Sequence, residues 1–183
     1  MHLSSTPYIN DSNILSLLNQ FAILLKEDAI SRNSYINILI VGGAAIALKH
    51  KYRSTVDIDA DIRFEGTITD AINKIAVINN IPKDWINQDF TSSPSYNRKL
   101  WNYAFPYVTL ENYMNIFIVN DLAQLAMKLK SSREKDLPDI LLLAETCKAQ
   151  GITFEQLKFI YNNLYNESVE YKKYTRKVKK VLK

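Results

Sequence analysis

The sequence predicts an α+β fold, with a small mixed β-sheet flanked by helices and a helical C-terminal half. Apolar residues recur at helical spacing before residue 33 and after residue 121. The segment between these positions contains short continuous or alternating apolar runs that are typical of strands. With 183 residues, 47% hydrophobic and 23% charged, the chain can bury a core without disulfides.

The N-terminal elements are a helix and a buried strand. Asp11 or Ser12 caps a helix with one apolar stripe, and Asn33 and Ser34 end it. Residues 35–41 form a short β-branched run, which predicts a buried strand. The chain therefore enters the sheet directly after one long helix.

A glycine pair and an acidic strand follow. Gly42-Gly43 turns the chain into an Ala-rich helix start. Residues 56–64 alternate between apolar and charged side chains, which predicts a strand with period two. One face of this strand carries Asp57, Asp59 and Asp61.

The remaining elements are strands and then helices, with a polar turn-rich segment before them. Thr153 and Gln156 have the spacing of a capping box. We predict three domain-level parts: a core over 1–120, a helical region over 121–171 packed on it, and a basic tail over 172–183. The predicted elements are a helix over 69–80, a mobile turn-rich segment over 89–98, paired strands over 103–110 and 113–119, and helices from 121, over 137–149 and over 154–165.

Composition and charge exclude several classes of protein. One cysteine, Cys147, excludes an intramolecular disulfide and a cysteine-rich zinc site. The chain shows no signal peptide, and its apolar runs are shorter than the about 20 residues of a membrane span, so we expect a cytoplasmic protein without membrane contact. The tail carries seven basic side chains and no acid, within a net charge of +4. We predict that the tail forms a last helix that frays, and it either contacts RNA phosphates or is a disordered solubilising end.

The segment from Gly42-Gly43 to Asp57-Ile58-Asp59 carries the chemistry. Two glycines after a buried strand let the backbone approach a phosphate chain, and the next helix directs its N–H groups at that anion. Asp57 and Asp59, two apart on a strand, project from one face. At roughly 4 Å two carboxylates repel by about 4 kcal/mol at an effective dielectric of about 20, and a divalent cation removes that cost. The pattern predicts a site for a metal and a nucleotide.

The sequence resembles the nucleotidyltransferase superfamily typified by DNA polymerase β, whose signature is an apolar strand, Gly-Gly or Gly-Ser, a spacer and Asp-x-Asp. Two blocks resemble the short AbiEii-type nucleotidyltransferases of abortive-infection and toxin–antitoxin systems. They are Gly42-Gly43-Ala44-Ala45 with Arg53-x-Thr55-x-Asp57-Ile58-Asp59, and residues 125–129 with 133–139. The resemblance covers roughly residues 35–145.

The resemblance implies roles for individual residues. Asp57 and Asp59 would bind Mg²⁺ or Mn²⁺, and Lys128 would contact the nucleotide phosphates. Asp136 would support the catalytic site. The nucleotide would also lie against Gly42, Gly43, Ala44, Arg53 and Thr55.

Two positions depart from the superfamily pattern. Ala44 stands where many members have serine, so only its backbone N–H is available there. A third carboxylate on a later strand is missing, because Asn115 occupies the expected position. Asp61 could substitute for it by extending the acidic series.

Ordinary structural readings compete with each role. Gly42-Gly43 could be a tight turn, and the acidic face could be a solvated strand face. Lys128 could be a solvated lysine, and Arg53 could pair with Asp57 or Asp59. Residues 133–139 could be a helix-start charge pattern.

The combined reading is a metal-dependent enzyme that moves NMP from an NTP to a hydroxyl. The resemblance implies a tRNA 3′ end or a protein as acceptor, a toxin or phage-defence role, and a cognate antitoxin or toxin partner. One alternative is a catalytically inactive nucleotide-binding or antitoxin-like protein. A second is a small-molecule nucleotidyltransferase of the antibiotic-modifying kind.

Overall fold

The computed structural model describes residue 9, residues 11–51 and residues 54–183, and it confirms the α+β class. Three short 3-10 turns connect longer elements: Asp89–Ser92, Glu134–Asp136 and Val169–Tyr171. In chain order the elements are α1 Asp11–Ser31, β1 Ile36–Ile40, α2 Gly42–His50, β2 Ile58–Arg63, α3 Thr69–Asn79, β3 Ile86–Asn87, a 3-10 helix Arg98–Tyr103, β4 Ala104–Leu110, β5 Met114–Val119, α4 Asp121–Ser131, α5 Leu137–Ala149, α6 Phe154–Tyr165 and α7 Thr175–Val181.

The five strands form one mixed sheet in the order β3-β2-β1-β5-β4. Strand β1 runs antiparallel to β2 and parallel to β5, and β2 runs parallel to β3. The predicted pairing of the strands β4 and β5 is confirmed. Ile38 lies between Ile62 on β2 and Ile116 on β5, so one face of the sheet is apolar across its three central strands.

The chain forms two compact units. The first unit consists of Met1–Phe90 and Phe105–Ile118, and the second consists of Thr91–Ala104 and Val119–Lys183. Both units are therefore built from separate stretches of chain. The domain limits at residues 120 and 171 stay a prediction.

The core of the first unit lies between the apolar sheet face and helices α1 and α3. Phe21 and Trp85 are fully buried and meet edge to face, with ring centroids 6.0 Å apart. The Trp85 indole donates a hydrogen bond to the Ile72 carbonyl at 3.1 Å, and the Tyr113 hydroxyl donates to the Ala22 carbonyl. The polar groups of these two aromatic side chains, Trp85 and Tyr113, therefore both have a hydrogen-bond partner.

The helices of the second unit begin at the residues that the sequence indicates. The capping box of Thr153 and Gln156 is confirmed at the start of α6. The Asn120 side chain accepts a hydrogen bond from the backbone N–H of Ala123 and caps α4. Within the described part of the chain, no helix has the length and apolarity that crossing a membrane would require.

Two local predictions need correction. The tail does contain the predicted last helix, α7, but the alternative of a disordered end is wrong, because Val178 of α7 is fully buried. The segment over 89–98 is turn-rich as predicted, but Phe90 within it is buried in the first unit, and Leu100, just after it, is buried in the second unit. These buried residues were not predicted, because each lies in a mostly polar stretch of sequence.

Candidate active site

Gly42 turns the chain from β1 into α2 with a backbone that an L-residue rarely adopts. Its φ is +66°, in the left-handed region. A Cβ atom at Gly42 would lie 2.9 Å from Asp59 Oδ2, closer than real Cβ contacts. The absent side chain therefore leaves space for the Asp59 carboxylate at the beginning of α2, where backbone N–H groups and the helix dipole favour negative charge.

The aspartate pair lies on β2 and just before it. Asp59 is held in the sheet by its carbonyl, which accepts a hydrogen bond from the Val41 N–H at 3.0 Å. Asp57 precedes the first residue of β2, so the strand begins two residues later than predicted. The carboxylate of Asp57 accepts a hydrogen bond from Asn87 Nδ2 at 3.2 Å.

Asn87 is a site residue that the sequence did not reveal. It lies on β3 opposite Asp59, and its Oδ1 accepts a hydrogen bond from the Asp89 N–H at 3.0 Å. This bond fixes the amide, so that its nitrogen is directed at Asp57. Strand β3 has two residues, too few to show any periodicity.

The two proposed sources of a third carboxylate have different surroundings. Asp61 is buried on β2 opposite Leu39, with one carboxylate oxygen 3.9 Å from an Arg63 nitrogen. Asn115 lies on β5, and β1 separates that strand from β2. The Asn115 amide donates to Asn37 Oδ1 at 3.0 Å and accepts from Thr109 Oγ1 at 3.0 Å. Asn115 thus belongs to a neutral polar row across β1, β5 and β4.

The described residues contain no group of three or more His, Cys, Asp or Glu side chains arranged to hold a metal ion.

Four other residues are predicted to contact the nucleotide: Gly43, Ala44, Arg53 and Thr55. Gly43 and Ala44 lie in the first turn of α2, and Ala44 is buried. Thr55 is also buried, and its backbone exchanges hydrogen bonds with Ile9. Arg53 lies outside the described residues. The contacts of these residues with a nucleotide stay predictions.

Lys128 and Asp136 lie in the second unit, in a buried ion cluster. Lys128 Nζ is 2.7 Å from Asp136 Oδ1 and 2.9 Å from Asp139 Oδ2. The exposed fraction of these three side chains is 10%, 3% and 2%. The Asp136 carboxylate also accepts hydrogen bonds from Arg133 Nε at 2.7 Å and Ser131 Oγ at 2.9 Å. The cluster binds the end of α4 to the beginning of α5.

A family model described as "Nucleotidyltransferase of unknown function (DUF6036)" matches residues 14–181, nearly the whole chain. The chain belongs to this nucleotidyltransferase family. No curated protein and no solved structure matches it. Membership of the nucleotidyltransferases confirms the superfamily that the Gly-Gly and Asp-x-Asp pattern indicates, and it implies an NTP substrate.

The ion cluster of this nucleotidyltransferase sets the pKa of Asp136. Burial alone would raise the pKa of this carboxyl, but hydrogen bonds from Arg133 and Lys128 outweigh burial and lower it from 3.8 to about 2. The carboxylate is therefore charged at every pH at which the protein would work.

We expect this pKa to make stability depend on acid. A carboxyl whose folded pKa lies below its unfolded pKa stabilises the fold above the unfolded pKa, and loses that contribution as pH falls through the folded pKa. The free energy of unfolding should therefore decrease between pH 3.8 and about 2. Urea unfolding of the wild type and of Asp136→Asn across this range measures the effect. The variant should show a shallower decrease, and an identical slope in both proteins would contradict the assignment.

Proposed function

We propose that this nucleotidyltransferase moves NMP from an NTP to a hydroxyl acceptor, with Mg²⁺ or Mn²⁺ held by Asp57 and Asp59. The observation that carries the proposal is the contact of the Asp59 carboxylate with the Cβ-free Gly42 at the beginning of α2. This contact places an acidic group beside the N–H groups that would bind a phosphate chain. A tight turn alone would not require a carboxylate there.

The donor set fits a hard divalent cation. Asp57, directly before β2, and Asp59, on β2, are two positions apart and offer carboxylate oxygens. Mg²⁺ is usually bound by one or two carboxylates together with substrate phosphates. When bound, the cation neutralises charge on the transferring phosphoryl group. The two carboxylates do not need a third acid for this purpose.

The residues of the chain supply positioning. In this proposal the first turn of α2 directs its backbone N–H groups at the triphosphate. Asn87 holds Asp57 by its amide nitrogen. Phosphoryl transfer depends mostly on such positioning and on charge stabilisation. We further propose a tRNA 3′ end or a protein hydroxyl as acceptor, and a toxin or phage-defence role like that of the AbiEii-type proteins.

A second candidate function is nucleotide binding without turnover, as an antitoxin-like or sensor protein. Asn87, the residue opposite Asp59 on the neighbouring strand, is an amide and not an acid. That strand therefore offers no carboxylate that could act as a general base and accept the proton of the attacking hydroxyl. Turnover separates the two candidates.

The test uses purified protein, Mg²⁺, each radiolabelled NTP and total tRNA. We expect the wild type to label RNA or protein, and Asp57→Asn/Asp59→Asn to lose both labelling and Mg-NTP binding, because the metal ligands are removed. Glu65→Gln/Asp70→Asn removes the same charge from exposed positions of the first unit and serves as the control. Thermal stabilisation of the wild type by Mg-NTP without labelling would favour the binding-only function. Normal Mg-NTP binding by Asp57→Asn/Asp59→Asn would refute the site.

A further inference from the structure

The charges of the chain are divided unequally between its two compact units. The first unit has 8 basic and 11 acidic side chains, a net charge of −3. The second unit has 15 basic and 8 acidic side chains, a net charge of +7. The second unit is therefore the polycationic part of the molecule, and the aspartate pair belongs to the other part.

Three of the seven basic residues after residue 171 are engaged within the second unit. Lys172 Nζ lies 3.0 Å from a Glu167 carboxylate oxygen, and Lys173 Nζ lies 2.9 Å from one of Glu134. Lys179 Nζ lies over the Phe154 ring, 5.3 Å from its centroid. These three residues contribute to packing and ion pairing of the fold.

The other four have no such engagement. Within the part of the chain that the structure describes, the side chains of Arg176, Lys177, Lys180 and Lys183 are exposed and have no ion pair, hydrogen bond or ring contact. Arg176 and Lys180 are four residues apart, so their Cα atoms are separated by about 6 Å along the axis of α7. We call these four residues the basic face.

The basic face is held in place by the apolar side of the same helix. Val178 of α7 is fully buried, and Leu182, the residue directly after the helix, is 4% exposed. Thr175 Oγ1 donates a hydrogen bond to the Val169 carbonyl, at 2.5 Å. Because α7 is anchored in this way, its cations do not have to be ordered from a flexible tail when they bind a partner.

The chemistry of α7 favours one kind of partner. Every exposed side chain of this helix is cationic; of its two apolar residues, Val178 is fully buried and Val181 is half-buried. A membrane-surface helix needs an exposed apolar face, and a protein interface needs an apolar centre. A phosphate backbone needs only positive charge. Tyr171, four residues before α7, is 88% exposed and offers the kind of aromatic surface on which single-stranded bases stack.

We propose that the basic face binds the phosphate backbone of a single-stranded nucleic acid. Four backbone contacts on a single strand predict a slope of about −2.8 for log affinity against log salt. Between 50 and 200 mM salt this slope corresponds to a loss of affinity of about 50-fold. The basic face and the aspartate pair belong to different compact units, and binding does not require NTP or turnover.

The test measures binding of the full chain to a fluorescent 20-nucleotide single-stranded RNA over a salt series, without NTP. The variant Arg176→Gln/Lys177→Gln/Lys180→Gln removes three contacts, so the slope should become less steep by about 2. The control Lys51→Gln/Lys74→Gln/Lys83→Gln removes the same charge from exposed positions of the first unit and should keep the wild-type slope. Circular dichroism and thermal unfolding establish that both variants fold.

The other arms identify the source of the phosphates and the outcomes that overturn the proposal. Single-stranded DNA of the same sequence distinguishes RNA, bound more tightly through its 2′-hydroxyls, from a backbone site that accepts both. Absence of nucleic-acid binding by the wild type would overturn the proposal, as would equal loss in both triple variants. Binding to vesicles of phosphatidylcholine with 30% phosphatidylserine, in place of RNA, would overturn it in favour of a lipid surface. Absence of RNA binding would refute the basic face as a binding surface without bearing on the aspartate pair, whose separate test is NTP transfer.

Discussion

Lys128→Met is expected to lower the free energy of unfolding by about 3–5 kcal/mol, the usual cost of removing one partner from a buried ion pair. Lys128 Nζ lies between the carboxylates of Asp136 and Asp139, and both acids are almost fully buried. Arg133 still pairs with Asp136 in the variant, whereas Asp139 loses the cation beside it. Urea unfolding at pH 7 measures the loss.

Two further variants make the Lys128 result specific. Lys135→Met changes an exposed lysine nearby in the chain and should alter stability by no more than about 0.5 kcal/mol. Lys128→Met/Asp139→Asn removes the uncompensated charge and should recover part of the loss, because the two changes are coupled. Wild-type stability of Lys128→Met would show that the ammonium is not needed by the fold. That result would favour the predicted role of Lys128 in contacting the nucleotide phosphates.

Gly42→Ala is expected to abolish Mg-NTP binding and also to destabilise the first unit. Alanine in the left-handed region costs about 1–2 kcal/mol. In addition, the new Cβ would lie 2.9 Å from Asp59 Oδ2, so the carboxylate must move away from the beginning of α2. Calorimetric titration with Mg-NTP and thermal unfolding measure the two effects.

Gly151→Ala separates the backbone effect from the contact with Asp59. Gly151 has a φ of +74°, close to the +66° of Gly42, but a Cβ there would have no atom within 4 Å. This variant should lose about 1–2 kcal/mol of stability and keep full nucleotide binding. If Gly42→Ala binds Mg-NTP as tightly as Gly151→Ala, the proximity of Gly42 and Asp59 has no role in the site.

Strong periodic patterns made much of the fold predictable. The limits of α5 and α6 agree with the sequence prediction, because a Pro near the start of one and a capping box at the start of the other define them. The acidic face of β2 followed from strict alternation, and its apolar face packs against the core. The Gly-Gly pair predicts a turn, and Gly42 has the positive φ of such a turn.

Features that depend on distant residues were not predictable. Strand β3 has two residues, so Asn87 could be recognised as a partner of Asp57 only from the sheet. Lys128 was expected to reach phosphates, but its ion pairs with Asp136 and Asp139 depend on how α4 and α5 pack. The division of the tail cations into engaged and unengaged groups depends likewise on acids elsewhere in the second unit.

The discontinuous course of the chain has a consequence for synthesis and for truncation. Strand β1 pairs with β5 across 78 positions, since Asn37 lies opposite Asn115. A fragment that stops at residue 90 would leave the apolar strand β1 at an open sheet edge, a ready template for intermolecular pairing. The nascent chain is in the same state until β5 leaves the ribosome. We therefore expect fragments that keep β1 but end before β5, between residues 41 and 113, to aggregate unless a chaperone or a fusion partner covers this edge.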